Sequence, residues 1–143
     1  IMLCGTVLGA QRGALAVLLF ITLTALGLPL LSGGRGGLGV FASPSVGFIV
    51  GFPLAAFVAG WITSKLKLIN VFYSSLLGAL VGGILILYIP GIVGMSIMLD
   101  KSISEAALIA LIYLPGDCIK AFLCAMLTHT LFKLRPENVL SRI

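Results

Sequence analysis

Long apolar stretches, separated by short polar or glycine-rich segments, dominate the pattern along this chain. Apolar residues fill most of 1–10, 14–28, 46–64, 68–98 and 103–132. A helix that spans a membrane needs about 20 such residues, so residues 1–10 are too few for a complete span. The pattern predicts an all-α membrane protein, a polytopic bundle of about five helices with the first one truncated.

The predicted breaks between helices coincide with polar residues, glycine and proline. Gln11-Arg12-Gly13 is a polar break after the first stretch, and Pro29 is expected to end the second. Proline removes a backbone donor and clashes with the preceding helical turn. We therefore expect a break or kink at Pro90-Gly91 in the fourth helix and at Pro115-Gly116 in the fifth.

Small residues and a capping serine predict how the helices pack and where the last one begins. Glycine and alanine recur four positions apart, a spacing that lets helices approach closely, and packing within the chain is the favoured interpretation of these pairs. The pairs are Gly47 and Gly51, Ala56 and Gly60, and Gly78 and Gly82. Ser102 or Ser104 is expected to cap the last helix, with Glu105 in its first turn, where a negative charge suits the helix dipole.

The segment LLSGGRGGLGVFASPS, residues 30–45, is the least helical part of the chain. It holds five glycines between Gly33 and Gly39, and each glycine costs a helix about 1 kcal/mol. A phosphate-binding loop is weakly supported, because no strand precedes the segment and no GK[ST] follows. Two interpretations are equally favoured: a flexible connector, and a lid over a ligand site.

Composition bounds the function. The chain is 60% hydrophobic and 9% charged, whereas soluble domains carry about 25% charged residues. One transmembrane domain over residues 1–143 leaves no room for a soluble ATPase, kinase or nuclease domain. No basic run is interleaved with aromatic residues, so nucleic-acid binding has no support, and the three cysteines show no metal-binding spacing.

Charged residues predict the orientation in a cell membrane. With loops on alternating sides, six Lys and Arg residues fall on one side and two on the other. Cytoplasmic loops carry the excess of basic residues, so the C-terminus is expected in the cytoplasm and the glycine-rich segment outside. A cytoplasmic N-terminus would then need an odd number of further spans upstream, most simply one, giving six in the full protein.

Asp117 and Lys120 stand together inside an apolar stretch, LIYLPGDCIKAF. A charge near the bilayer centre costs at least about 2.5–3.5 kcal/mol, so ionisable residues there indicate a functional site. Their spacing places both side chains on one helical face. The alternative is that the two residues only neutralise each other against a neighbouring helix.

Three stretches resemble the BioY family, biotin-specific S components of energy-coupling factor (ECF) transporters. They are GAQRGALAVLLFITLTALGLPLLSGG, SPSVGFIVGFPLAAFVAG and YLPGDCIKAFLCAML, in the family's order. The most specific element is PGDxxK, here Pro115, Gly116, Asp117 and Lys120. Family members often have GPTGGY near residues 42–48, where this chain keeps a small polar residue at Ser45 but has Phe48 in place of the tyrosine.

The resemblance implies a six-helix S component that binds biotin near the external face. It also implies a transmembrane T component and two ABC-type ATPases as partners, with no enzymatic activity or cofactor on this chain. In the family, the aspartate is associated with the ureido head of biotin and the lysine with the ligand's polar groups, including the carboxylate. The lid would comprise Gly33, Gly34, Gly36 and Gly37.

The residues themselves are compatible with such a ligand. Asp117 can accept from the ureido N–H groups, and Lys120 or Arg35 can meet the carboxylate. The apolar wall could come from Phe41, Phe48 and Tyr113. A self-sufficient proton-coupled transporter or channel is an alternative function, but it is disfavoured because proton relays use several ionisable groups. A membrane enzyme is a second alternative, and one His and four acids are too few for its catalytic site.

Overall fold

The computed structural model describes residues 1–143 as six helices joined by turns and one longer loop. The helices are α1 (Met2–Leu8), α2 (Ala10–Ala25), α3 (Val46–Lys65), α4 (Val71–Leu99), α5 (Ile103–Leu111) and α6 (Leu114–Leu134). Short 3-10 turns cover Leu38–Ala42, Pro136–Asn138 and Leu140–Arg142. The predicted all-α bundle is confirmed.

The helices differ in their capacity to cross a membrane. α3 and α4 are each long and apolar enough, and α5 and α6 meet the same criteria if they are taken together as one span that is bent by 54°. α2 is a shorter apolar helix of 16 residues. Large apolar side chains face outward along the spans, with Leu85 63%, Ile89 64% and Ile119 61% exposed. Such a surface suits lipid rather than water.

Small residues form the helix interfaces. Ala59 and Ala79 are fully buried. A Cβ added to Gly78 would stand 2.5 Å from the carbonyl oxygen of Ala59, and one added to Gly82 would stand 2.5 Å from that of Ala55. α3 and α4 therefore touch backbone to backbone, as small residues allow in membrane bundles. The prediction that these pairs serve packing within the chain is confirmed.

The boundary between the first two helices differs from the prediction. The break falls at Gly9, whose φ of 85° favours glycine. Gln11-Arg12-Gly13, predicted as a polar break, lies in the first turn of α2. Gly13 lets the start of α2 pack closely against α1, since a Cβ at this position would stand 2.7 Å from the Cys4 carbonyl oxygen. α2 also ends at Ala25, earlier than the predicted end at Leu28.

Of the predicted break or kink at Pro90-Gly91, the break is wrong, because α4 continues through both residues to Leu99. The irregularity lies just before them, in a π-helical stretch over Val81–Ile86. A proline ring clashes with the carbonyl four residues earlier, which for Pro90 is that of Ile86. The widened turn ends at that residue, so the helix accommodates the proline without being interrupted.

Both helices of the bent span begin as the sequence indicates. Ser102 caps α5: its hydroxyl accepts from the Glu105 N–H at 3.3 Å, and the Glu105 carboxylate accepts from the Ser102 N–H at 2.9 Å. The break itself falls at Ile112 and Tyr113, and Pro115 occupies the first turn of α6, where a missing N–H costs nothing.

Candidate functional site

Asp117 is the centre of the candidate site, one turn into α6 and just after the bend. Lys120 Nζ donates to Asp117 Oδ1 at 2.9 Å, so the predicted placement on one helical face is confirmed. The Asp117 side chain is only 16% exposed, whereas that of Lys120 is 71% exposed. Asp117 is therefore largely enclosed by the protein, whereas Lys120 is largely exposed although its amine is bonded to Asp117.

Tyr88 gives this carboxylate a second hydrogen bond and was missed from the sequence. Its hydroxyl donates to Asp117 Oδ2 at 2.8 Å from the middle of α4. The ring is buried and packs edge-on against Phe48, with 5.8 Å between the ring centroids. A signal did exist: a tyrosine deep in an apolar helix needs a hydrogen-bond partner, and Asp117 is the acid in the middle of the last apolar stretch.

A cavity of about 360 Å³ lies on one side of Asp117, beneath the glycine-rich loop; we call it the lid-side cavity. It brings together five of the seven predicted ligand-binding residues: Asp117, Tyr113, Arg35, Ser45 and Phe48. Its other lining residues are Ser32, Pro44, Phe52, Leu87 and Met95. A mostly preformed cavity of about 300–1,000 Å³ with a few placed polar groups is usual for small ligands.

A second cavity of about 420 Å³ lies on the other side, between α1 and α6; we call it the α1-side cavity. It shares Asp117, Phe52 and Leu87 with the first cavity, and Lys120 lines it. The remaining residues are apolar or small: Ile1, Met2, Leu3, Gly83, Leu123, Cys124 and Leu127. Asp117 therefore lines both cavities, whereas Lys120 lines the α1-side cavity alone.

The loop above the lid-side cavity is a small hairpin. Leu31 N–H donates to the Arg35 carbonyl at 3.1 Å, and Gly34 N–H donates to the Leu31 carbonyl at 3.0 Å. Gly33 and Gly34 have φ of 78° and 69°, a conformation that side chains rarely adopt. The glycines therefore make a tight turn that points Arg35 back toward the cavity.

Arg35 and Phe41 have different places in this loop. Arg35 is exposed, donates through Nε to the Ser32 carbonyl at 3.2 Å, and has no carboxylate within ion-pair distance. Its guanidinium is therefore a cation without an anion at the cavity wall. Phe41, predicted as part of the apolar wall, lies in the 3-10 turn Leu38–Ala42 and lines neither cavity.

Comparisons with known proteins agree on one family. A family model described as the BioY family matches residues 1–137. "Biotin transporter BioY" of Rhodobacter capsulatus is 42% identical, covering 99% of this chain and 80% of the relative. The protein of that name from Rhizobium etli is 44% identical over 89% of this chain and 71% of its own length.

A solved structure gives the same result for the fold. It is the crystal structure of the S-component for biotin from an ECF-type ABC transporter, which matches with a TM-score of 0.85 at 30% identity. The match covers 92% of this chain and 71% of that one. The helical bundle described above is therefore the fold of that S component.

Proposed function

The chain belongs to the BioY family, and on that premise we propose that it is the substrate-binding S component of an ECF-type biotin uptake transporter. The observation that carries the proposal is the lid-side cavity, where a half-buried carboxylate, an unpaired guanidinium and aromatic side chains line one space. Each of these groups matches one part of biotin: the ureido ring, the carboxylate and the apolar body between them.

Asp117 is suited to the ureido end. A carboxylate offers about four acceptor positions, and Tyr88 and Lys120 occupy one on each oxygen. Two positions stay free for the two N–H groups of a ureido ring. Because Asp117 already has two donors, its charge is stabilised before a ligand arrives, and it needs no rearrangement to accept further hydrogen bonds.

Arg35 is suited to the carboxylate end. It lines the same cavity as Asp117, and no acid of the protein competes for its guanidinium. Arginine binds carboxylates through two parallel hydrogen bonds. Lys120, the other candidate for this role, donates to Asp117 and lines the α1-side cavity. We therefore assign the carboxylate to Arg35 and give Lys120 the role of holding Asp117.

In this proposal the hairpin opens to admit biotin from outside the cell and closes over it. A T component and two ABC-type ATPases then drive release to the cytoplasm, since residues 1–143 form membrane helices and contain no nucleotide-binding motif. The test is twofold. Purified protein should bind biotin without partners, and uptake in cells should require co-expressed ATPases and ATP. Uptake driven by a proton gradient without ATPases would favour the self-sufficient transporter instead.

The proposed orientation has its own test. In a background without the native cysteines, Ser32→Cys in the hairpin and Lys65→Cys at the end of α3 replace exposed residues at opposite ends of the molecule. An impermeant maleimide should label position 32 in intact cells and position 65 only after permeabilisation. The opposite labelling pattern would place the lid-side cavity on the cytoplasmic face and refute uptake by this route.

A further inference from the structure

A basic cavity lies at the other end of α6, about 20 Å along the helix from Asp117 at about 1.5 Å per residue. It occupies about 410 Å³ between the turn that joins α3 to α4, the last turns of α6 and the C-terminal segment. We call it the basic cavity and define it by its lining residues: Lys67, Leu68, Ile69, Asn70, Val71, His129, Phe132, Lys133 and Arg142.

No acidic side chain balances the positive charge of this cavity. Lys67, Lys133 and Arg142 line it, and none of the four acidic residues of the chain does. Lys67 Nζ donates to the backbone oxygen of Ile143 at 2.5 Å, and the two side-chain ion pairs of the structure lie elsewhere. Three cations that converge without an acidic side chain repel one another, so an anionic ligand would stabilise this arrangement.

Arg142 forms a fixed floor to the cavity. Its guanidinium donates to the Leu66 carbonyl at 3.0 Å, to the Ile69 carbonyl at 3.1 Å and to the Ser74 hydroxyl. Burial lowers the pKa of Arg142 below its ordinary value. In addition, Nδ1 of His129 is buried and has no hydrogen-bond partner. The site is therefore partly organised before any ligand binds, and two of its buried polar atoms, His129 Nδ1 and Arg142 Nε, have no hydrogen-bond partner.

The remaining walls are apolar, which narrows the class of anion. Leu68 is fully exposed and Ile69 is 46% exposed, and Val71 and Phe132 complete the apolar lining. A small hydrophilic anion gains nothing from such walls. A molecule with both a phosphate and hydrocarbon chains matches both parts, and basic pockets between membrane helices are known to suit lipid headgroups.

We propose that the basic cavity binds the phosphodiester headgroup of an anionic membrane lipid, with the acyl chains along Leu68, Ile69 and Phe132. Lys67 and Lys133 are exposed at its mouth and would close on the phosphate, while Arg142 keeps its contacts to the turn. The site is separate from both cavities at Asp117, so its occupation should not require biotin.

Native mass spectrometry of the purified protein tests this site. The protein is titrated with phosphatidylglycerol and, separately, with phosphatidylcholine of the same acyl chains. One phosphatidylglycerol should bind in preference to phosphatidylcholine. Lys67→Gln with Lys133→Gln should weaken it roughly 30-fold, from about fivefold for each lysine at an anionic lipid surface. Lys67→Arg with Lys133→Arg keeps the charge and should keep the binding.

The matched control removes two charges from the same end of the molecule but outside the cavity. Lys65→Gln with Arg135→Gln should leave phosphatidylglycerol affinity within about threefold, since neither residue lines the site. Equal losses in the control and the cavity variant would mean diffuse surface charge and overturn the proposal. Unchanged lipid affinity in Lys67→Gln/Lys133→Gln would also overturn the proposal. If that variant kept its lipid affinity but failed to transport with the partner subunits, the two lysines would contact a partner protein instead of a lipid.

A last arm separates the lipid from free phosphate. Glycerol phosphate in hundredfold excess should not displace phosphatidylglycerol, because it lacks the acyl chains that would contact the apolar walls. Complete displacement would identify the cavity as a site for a soluble phosphate and refute the lipid assignment. The unfolding temperature of each variant, measured in parallel, should stay near that of the unmodified protein, since neither lysine pairs with an acidic side chain and Lys67 makes only one exposed contact, to the backbone oxygen of Ile143.

Discussion

Two cavities share Asp117, Phe52 and Leu87, and the side chains that complete each one differ in chemistry. The lid-side cavity adds serines, a tyrosine and Arg35, so it has polar groups spread across its wall. The α1-side cavity adds Lys120 and otherwise apolar or small residues. A ligand that is polar at both ends fits the first cavity, where each end can find a hydrogen-bond partner. Their volumes, about 420 and 360 Å³, are too similar to distinguish the two cavities.

The largest effect should come from the residue common to both cavities. Asp117→Asn replaces an acceptor for the ureido N–H groups with a side chain that also donates. A hydrogen bond to a charged group is worth about 1.5–3 kcal/mol, or roughly 10- to 150-fold in affinity. Calorimetry should show a loss of that size or more for biotin and for biotin amide alike.

Asp100→Asn is the matched control for that change. Asp100 ends α4 with φ of 52°, a conformation asparagine tolerates, and it lines neither cavity. Its biotin affinity should be unchanged. The double variant Asp117→Asn with Lys120→Met should fold, because it strands no buried charge. If it folds and binds biotin normally, the pair serves only to neutralise itself and the site lies elsewhere.

The second effect separates the two basic residues, one from each cavity. Arg35→Gln should weaken biotin roughly 10-fold, the loss of a charged hydrogen bond, and should leave biotin amide nearly unaffected. Lys120→Met should weaken both ligands to the same degree, because it acts through Asp117. Binding curves of each variant for biotin and biotin amide show which of the two basic residues contacts the carboxylate. If Lys120→Met discriminates between them and Arg35→Gln does not, the carboxylate lies in the α1-side cavity.

A smaller effect is expected from Tyr88→Phe, which removes the donor to Asp117 Oδ2 and keeps the ring packed on Phe48. The carboxylate then loses one of the two bonds that fix its orientation. Affinity should fall about fivefold, near 1 kcal/mol, as for an ordinary hydrogen bond. An infrared band of the Asp117 carboxylate should shift as well. An unchanged band and affinity would make the contact irrelevant to the site.

The smallest effect concerns the rate of entry. Gly34→Val forces a branched side chain onto a φ of 69° in the hairpin, whereas Gly39→Val places the same side chain in open space at an ordinary φ. We expect biotin association to slow a few-fold in the first variant and to stay the same in the second. Stopped-flow measurements test this difference. Equal rates would support the plain-connector interpretation of the loop.

The sequence predicted what depends on neighbours along the chain. The length of Val46–Lys65, the cap at Ser102 and the Asp117–Lys120 pair all follow from local spacing. Tyr88 is 29 residues from Asp117, and no periodic pattern reports which turn of one helix faces which turn of another. The break at Gly9 was missed for a similar reason, because polar residues in a first helical turn look like a loop until the packing of Gly13 is seen.

The π-helical stretch in α4 gives the direction of Tyr88 a tolerance that a regular helix lacks. Each residue of an α-helix advances the side-chain direction by about 100°, and a π segment accommodates a residue in excess of that register. Deleting one lipid-facing residue of the stretch, such as Leu85, would therefore let the backbone close into a regular helix with Tyr88 still directed at Asp117. A deletion in the regular turns of α4 before the stretch would instead turn the tyrosine hydroxyl away from the carboxylate, although no residue of the site had changed. Ligand binding should thus withstand the loss of one residue inside the π-helical stretch better than the same loss elsewhere in this helix.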